Sequence, residues 1–405
     1  MQNKSTRSVW VLMISSATIL AITMGVRQST GLFVSPIDTS TGLGIVSISF
    51  ALAVGQFVWG LAQPIFGAIA DKKGSYGVLI MGAFLLAGGL ALTPLVNSEW
   101  SLLLTMGILS AAGAGAGSFS ILIGATTRQL PLERRAFAGG FINAGGSFGQ
   151  FLFAPVLQGI ISGFGWVTAM LTMAATTLLT IPLATLLRGD QQSDKVVASE
   201  QNLGGGLVQQ VRQAMHNPSY LCLHAGFFTC GFHIAFLVTH LPGEVALCGH
   251  SASVSAASLS IIGLFNIAGS LFAGSLGSRY RMKYILAVMY GSRAVMIGLY
   301  LLAPKNPLTF YIFAASLGFT WLATVPPTAG LVGKLFGTKY LATLFGLTLL
   351  THQIGGFLGA WLGGLAMAHD GNYLWMWYAD IALASAAALV NIPIREEKPN
   401  QIPLV

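Results

Sequence analysis

Long apolar runs recur along the whole chain, and they constrain the fold more than any other feature. A helix needs ~20 apolar residues to cross the ~30 Å hydrocarbon core of a bilayer, so each run predicts a transmembrane helix. Only 8% of the residues are charged and 54% are hydrophobic, which fits a surface that faces lipid. The predicted spans are residues 9–34, 45–70, 77–96, 101–127, 136–162, 166–187, 219–242, 253–277, 283–303, 308–333, 340–367 and 373–394.

The character of these runs predicts helices rather than β-barrel strands. Barrel strands alternate apolar and polar residues over about ten positions, whereas these runs are continuous and rich in Leu, Ala and Gly. The first run is too long for a signal-peptide core and lacks a cleavage site of small residues, so it is expected to remain as the first helix. Three cysteines without metal or disulfide spacing lead us to expect no cofactor and no metal: Cys222, Cys230 and Cys248.

Basic residues lie almost entirely in the loops on one side of the predicted membrane. The opposite loops hold only Lys305, while Arg27 and Arg293 fall inside spans. The positive-inside rule therefore predicts a multi-pass inner-membrane protein of a bacterial cell, with both termini in the cytoplasm. The net charge of +8 is read as this topology signal, so no nucleic acid partner is expected. The seventeen basic residues on the predicted cytoplasmic side are Lys4, Arg7, Lys72, Lys73, Arg128, Arg134, Arg135, Arg188, Lys195, Arg212, Arg279, Arg281, Lys283, Lys334, Lys339, Arg395 and Lys398.

A polar, glycine-rich segment after residue 188 separates six spans from six. It predicts a six-helix bundle over 1–188, a cytoplasmic linker over 189–217, and a second six-helix bundle with a short tail over 218–405. Weak internal repeats support a duplication, because the loop after span two and the loop after span eight share a glycine placed four residues before a polar residue. The fold class is thus predicted to be all-α and integral to the membrane, with two pseudo-symmetric bundles.

Two segments resemble a known family. The loop after span two resembles the cytoplasmic signature of the major facilitator superfamily, and residues 134–149 resemble the fifth-helix signature of its monocarboxylate-transporter branch. The resemblance implies the major facilitator fold and a gate in which the loop acid contacts a helix N-terminus, a contact that the helix dipole favours. The expected gate residues are Gly67, Asp71, Lys72, Gly74, Arg134 and Arg135.

The chain departs from that branch at positions that matter for transport. Residues 27–33 resemble its first helix, but Gln28 stands where the animal members carry a lysine. In span eight, Asn266 and Ser270 stand where the branch carries an aspartate and an arginine. In the family that pair binds the carboxylate and couples the proton, so the resemblance leaves both the substrate and the coupling open.

Polar side chains inside the spans supply the candidates for a solute pathway. An ionisable group in lipid is costly and marks a functional site by default, and a neutral amide suits a carboxylate or a zwitterion. Each member has the alternative of bonding to a neighbouring helix, and for Arg293 that structural role is the one expected. The candidate pathway residues are Arg27, Gln28, Gln56, Asn143, Gln150, His233, Asn266, Trp321, His352 and Gln353.

Few residues inside the predicted spans could bind a proton that is coupled to transport. Acids are nearly absent from the spans apart from Glu244 and Asp380, and histidine changes charge near neutral pH. The candidates are His233, His240, His352 and Glu244. Glu244 follows Pro242-Gly243, where a broken helix end or a loop is expected.

The leading hypothesis is a secondary transporter that moves a small organic solute, a carboxylate or other organic anion, by alternating access. No nucleotide-binding motif is found, so an ion gradient, with a proton as partner, is the expected energy source. The alternatives are an efflux carrier for an amphipathic compound, a sensor without flux, and an intramembrane enzyme using His233, His240 and Glu244. We expect a monomer in the lipid bilayer that is not an enzyme.

Overall fold

The computed structural model describes residues 6–127, 129–130, 132–188, 207–277, 279–336 and 341–396. Within these ranges the membrane part consists of twelve helices. In chain order they are α1 (Thr6–Gln28), α2 (Ile45–Lys73), α3 (Ser75–Leu92), α4 (Glu99–Thr126), α5 (132–164), α6 (166–185), α7 (Pro218–Leu247), α8 (Ala252–Gly277), α9 (Met282–Leu302), α10 (Pro307–Phe336), α11 (Leu341–Asp370) and α12 (Leu374–Asn391).

Ten stretches of the described chain are long and apolar enough to cross a membrane. One of them, Ala138–Thr185, runs for 48 residues and is divided at Gly165, whose φ of 83° is a left-handed value that favours glycine. It therefore supplies both α5 and α6. α11, which has 30 residues, is not among the ten. An even number of crossings places the start of α1 and the end of α12 on one face, called the termini face below.

The first predicted span, 9–34, is too long at its end. α1 stops at Gln28 and is followed by a turn, Thr30–Phe33, and a short helix, Val34–Thr41. The tighter turn begins at Ser29, whose N–H donates to the carbonyl of Val26 three residues back at 3.3 Å. Its hydroxyl also donates to the Gly25 carbonyl at 2.8 Å.

The expected break at Pro242-Gly243 is wrong, because α7 continues through Pro242 to Leu247. A proline inside a helix removes the donor to the carbonyl four residues back, which here is Val238. Gly31, in the turn after α1, packs directly against that carbonyl, so closely that a Cβ at residue 31 would overlap it. The space beside the unbonded Val238 carbonyl is thus filled by the turn that follows α1.

Helix pairs pack closely at glycines. α7 packs along α11 and α12, α1 along α5, and α8 along α10. Contacts between the first six and the last six helices run mainly through α2 against α11 and α5 against α8. The short helix Leu207–Met215 precedes α7, and Gln210 in it donates to the Phe336 carbonyl at the end of α10 at 3.2 Å. The division of the chain into bundles at 188 and 218 stays a prediction.

Gly231 shows how strictly these contacts depend on glycine. A Cβ at residue 231 on α7 would overlap the His352 carbonyl oxygen on α11, so Gly231→Ala must push two helices apart. We expect a loss of ~1 to 3 kcal/mol, the usual cost of overpacking, seen as a lower midpoint of thermal unfolding in detergent. Gly298→Ala on α9 is the control, because a Cβ there would meet no atom within 4 Å; equal midpoints for the two variants would contradict the prediction.

Candidate functional site

Arg27 lies in the last turn of α1 with its charge unpaired. Its guanidinium donates to the side-chain oxygen of Gln56 on α2 and lies over the Trp59 ring, 4.1 Å from the ring centre. Both partners are neutral, and the ion pairs found among the described residues do not include Arg27. A positive charge inside the membrane region is therefore held by an amide and an aromatic face alone.

A cavity surrounds this arginine between α1, α2, α3 and α4. Polar atoms come from three other residues of its wall, and the rest of the wall is apolar. The polar members are Thr30, Gln56 and Ser110, and the apolar side chains include Val26, Leu52, Leu86, Leu90 and Met106. One charged group in a mostly apolar cleft is the usual composition of a small-molecule site.

The α4 wall of this cavity has a π-helical turn over Leu103–Ser110. Such turns are rare and are found frequently at functional sites. The Ser110 hydroxyl donates to the Thr105 carbonyl five residues back at 2.8 Å, which satisfies an acceptor within the widened turn. Nothing in the sequence predicted this feature, because hydropathy is the same for a π-turn and an α-turn.

Asn266 on α8 joins three helices. Its amide nitrogen donates to the Ser147 hydroxyl on α5 at 3.0 Å, and its oxygen accepts from the backbone N–H of Leu322 on α10 at 3.0 Å. Ser270, one turn on, donates to the same oxygen at 3.3 Å. Asn266 is thus occupied as a link, whereas Asn143, Ser147 and Ser270 line a second cavity between α5, α8 and α10.

α10 is interrupted near its middle, and Arg293 supports the interruption. The helix is interrupted between Thr320 and Val325, which leaves backbone groups without helical partners. Arg293 on α9 is fully buried and donates to the carbonyl of Thr320 and to that of Trp321 at 2.7 Å. Its predicted role as a structural bond to a neighbouring helix is therefore confirmed.

His233 on α7 pairs with Asp380 on α12. The imidazole Nδ1 contacts the carboxylate, and the two side chains are only 1% and 0% exposed. The His233 ring also meets the buried Trp321 ring edge-on, with 5.8 Å between ring centres. Asp380 was noted in the sequence but not assigned to the site, because nothing local relates it to a histidine 147 positions away.

The remaining histidines and the acid have separate partners. His240 contacts the Ala360 carbonyl through Nε2 at 2.7 Å, and His352 contacts the Gln353 amide through Nδ1 at 2.9 Å. Glu244 accepts from the Tyr300 hydroxyl at 2.7 Å. His233, His240 and Glu244 therefore do not converge, and no metal-binding group of three His, Cys, Asp or Glu occurs within the described ranges.

Two buried amides have side-chain atoms without a hydrogen-bond partner among the described residues. Gln28 is buried with its side-chain oxygen unbonded, and Gln150 is buried with both amide atoms unbonded. The structure therefore divides the predicted pathway residues into separate groups: Arg27 with Gln56, Asn266 beside Asn143, His233 with Trp321, and His352 with Gln353. Trp59 and Ser147, which complete two of these groups, were missed because an aromatic or a hydroxyl inside a span is also ordinary packing.

The gate motif is only partly described. Gly74 ends α2 with a φ of 88°, a conformation that favours glycine, and Gly67 lies about two turns before it. The side chains of Asp71, Lys72, Arg134 and Arg135 lie outside the described part. Their gate role stays a prediction.

Contacts between α2 and α11 lie toward the face opposite the termini. Near that face, a Cβ at Gly364 on α11 would run into the Ser49 side chain on α2. Near the termini face, a Cβ at Gly67 on α2 or at Gly346 on α11 would meet no atom within 4 Å. The two helices are therefore closely packed near the opposite face.

Comparisons with known proteins agree on one family. A profile described as Major Facilitator Superfamily matches residues 14–360. Monocarboxylate transporter 13 of Rattus norvegicus is 26% identical over 394 residues, which cover 95% of this chain and 89% of that protein. The oxalate:formate antiporter of Oxalobacter formigenes is 25% identical over 372 residues, covering 90% of this chain and 86% of that protein.

Solved structures show the same fold. The D-xylose-proton symporter superposes with a TM-score of 0.74 at 14% identity, covering 96% of this chain and 98% of the other. A bacterial homolog of the human lysosomal transporter Spinster, in an inward-facing and unoccupied conformation, gives a TM-score of 0.69 at 14% identity, covering 96% and 95%.

Proposed function

Because the chain belongs to the Major Facilitator Superfamily, we propose that it is a secondary transporter that carries a small organic anion, such as a carboxylate, together with a proton. The family and the named relatives are transporters. The family resemblance, the twelve-helix fold and the expectation that the chain is not an enzyme are therefore confirmed. The solute, the proton and the residues that bind them belong to the proposal.

Arg27 is the observation that supports an anionic solute. Its guanidinium has no acidic partner and faces a cavity whose wall is otherwise apolar or neutral. An uncompensated charge in a low-dielectric region is costly, and an anionic solute would remove that cost while it is bound. Relatives named for monocarboxylates and for oxalate and formate point to the same class of solute.

Alternating access is the expected mechanism. The structure has α2 and α11 closely packed near the face opposite the termini. With both termini in the cytoplasm, as the basic loops predict, this packing would close the outer side, as in an inward-facing state. Closing α2 against α11 at the termini face, and separating them at the other, would give the outward-facing state.

Flux through purified protein tests the proposal. Proteoliposomes loaded with unlabelled formate, lactate or oxalate are diluted into the same labelled anion, and counterflow is compared with that of a neutral sugar and a cationic amine. We expect counterflow of at least one anion and none of the neutral or cationic solutes. Movement of the amine alone would favour the efflux carrier, and binding of an anion without counterflow would favour the sensor.

A further inference from the structure

A buried ionisable cluster lies in the last six helices, away from the cavity at Arg27. Its centre is the pair of His233 on α7 and Asp380 on α12, which are 1% and 0% exposed. The pair is incompletely bonded, because His233 Nε2 and Asp380 Oδ1 have no hydrogen-bond partner. Buried polar atoms are nearly always bonded, so each of these two atoms can still bind a proton or form a hydrogen bond with a water molecule.

The surrounding helices supply one fixed positive charge and no second acid. Arg293 on α9 donates to Cys230 Sγ at 3.5 Å, and Cys230 lies one turn before His233 on α7. Arg293 also donates to the Trp321 carbonyl at 2.7 Å, and the Trp321 ring contacts His233. The other titratable groups near the pair are Tyr290 beside Arg293, His352 on α11 and His240 on α7; α8 has no titratable residue over 252–277.

With Cys230 as a thiol and Tyr290 as a phenol, the charge of this cluster depends on one proton. Arg293 and an ionised Asp380 cancel, so the cluster is neutral when His233 is neutral and carries one positive charge when His233 is protonated. A net charge inside the membrane region is unfavourable unless an opposite charge accompanies it. Because Arg27 already balances a bound anion, coupling requires an attraction between that anion and a protonated His233; by linkage each would then favour the other, which is the thermodynamic condition for moving the two together.

We propose that His233 and Asp380 form the site that binds the coupling proton, with Arg293 setting the charge balance. The coupling part of this inference rests on the proposed anion transport; the proton site itself does not. His233 is the histidine that faces a carboxylate among the described residues. His240 contacts a backbone carbonyl, and His352 contacts the Gln353 amide and interacts with Cys230, so neither faces a carboxylate.

A simple structural bond between α7 and α12 is the competing explanation. It predicts that removing the pair lowers stability and changes all modes of transport alike. A proton site predicts a selective effect, because exchange of one anion for another needs no net proton movement whereas accumulation driven by a pH gradient does. The two explanations therefore differ in kind, and flux and spectroscopy can separate them.

Tryptophan fluorescence can detect protonation of His233 in the absence of any solute. A protonated imidazole quenches a neighbouring indole, and Trp321 is in ring contact with His233. We expect the emission of purified protein to change in a pH titration when His233 gains or loses its proton. The change should vanish in His233→Gln and in Trp321→Phe and persist in His240→Gln, a matched buried histidine on the same helix. A change that persists in His233→Gln would overturn the proton site.

Anion accumulation driven by a pH gradient measures whether proton and anion movement are coupled. For one proton moved with one monoanion, a gradient of one pH unit supports about tenfold accumulation. We expect wild type and His240→Gln to approach that ratio with formate or lactate, and His233→Gln to stay near onefold while keeping counterflow. Gradient-driven accumulation retained by His233→Gln would overturn the coupling role. If His233→Gln does not fold, Asp380→Asn, which keeps the shape of the side chain, decides by the same two measurements.

The two proposals can fail separately. Absence of counterflow for every anion in the wild-type protein would end the transport proposal, and the fluorescence titration alone would then decide whether the pair binds a proton. A pH-dependent emission that needs His233, together with normal accumulation in His233→Gln, would leave a proton site that does not drive transport and would overturn the coupling role.

Discussion

Arg27→Gln is expected to abolish anion binding and counterflow while leaving the protein folded. Arg27 is the unpaired positive charge at the cavity between α1 and α4, and glutamine keeps a hydrogen-bonding amide but not the charge. Truncating one side of a buried charge pair costs ~2 to 5 kcal/mol, so affinity for formate or lactate should fall about 30-fold or more. Isothermal titration and counterflow in proteoliposomes measure the two effects.

The thermal stability of the same variant is expected not to fall, in contrast to its anion binding. Removing an uncompensated charge from the membrane region relieves a cost, so the thermal unfolding midpoint of Arg27→Gln without solute should equal or exceed that of wild type. Arg27→Lys keeps the charge without the planar donors and should retain part of the binding. Arg279→Gln, which removes a charge at an exposed position, is the control and should bind normally. Full counterflow in Arg27→Gln would contradict the anion-binding role.

Arg293→Leu is expected to prevent stable folding. The guanidinium satisfies the carbonyls of Thr320 and Trp321 where α10 is interrupted, and inside a bilayer no water is available to replace it. Each buried acceptor left unbonded costs ~1 to 3 kcal/mol. The loss of both is a large part of the ~5 to 15 kcal/mol that holds a protein folded. Size-exclusion profiles and thermal midpoints in detergent measure the effect.

Two further variants show whether the effect belongs to this bonding pattern. Arg293→Lys retains a cation that can reach one carbonyl at a time, so its midpoint should lie between those of wild type and Arg293→Leu. Arg395→Gln changes an exposed arginine side chain and should behave as wild type. A monodisperse Arg293→Leu protein with the wild-type midpoint would show that the interruption in α10 does not need the arginine.

The helices were predictable because bilayer thickness imposes their length. Their ends were less so, because they depend on local turns and on contacts between helices: a tighter turn begins at Ser29, and Gly31 packs against the carbonyl that Pro242 leaves without a donor in α7. Hydropathy carries no information on either event. The same holds for the π-turn at Leu103–Ser110, since its residues are as apolar as those of an ordinary turn.

The chemistry of the candidate site was predictable by residue type but not by pairing. An arginine or a histidine inside a span signals function on energetic grounds alone, which is how Arg27 and His233 were found. Their partners Gln56 and Asp380 become visible only when α1 meets α2 and α7 meets α12. Asn266 was expected to face a solute, yet its amide is used to join α5, α8 and α10.

The interruption in α10 gives this helix a mechanical property that α7 lacks. α7 is a single rod of 30 residues, and bending it would stretch its ladder of hydrogen bonds. α10 consists of two shorter rods, Pro307–Thr320 and Val325–Phe336, and the backbone groups at their joint are already held by Asn266 and Arg293. The second rod, Val325–Phe336, can therefore tilt at little elastic cost. The bond from Asn266 to Ser147 on α5 connects the joint to the first six helices.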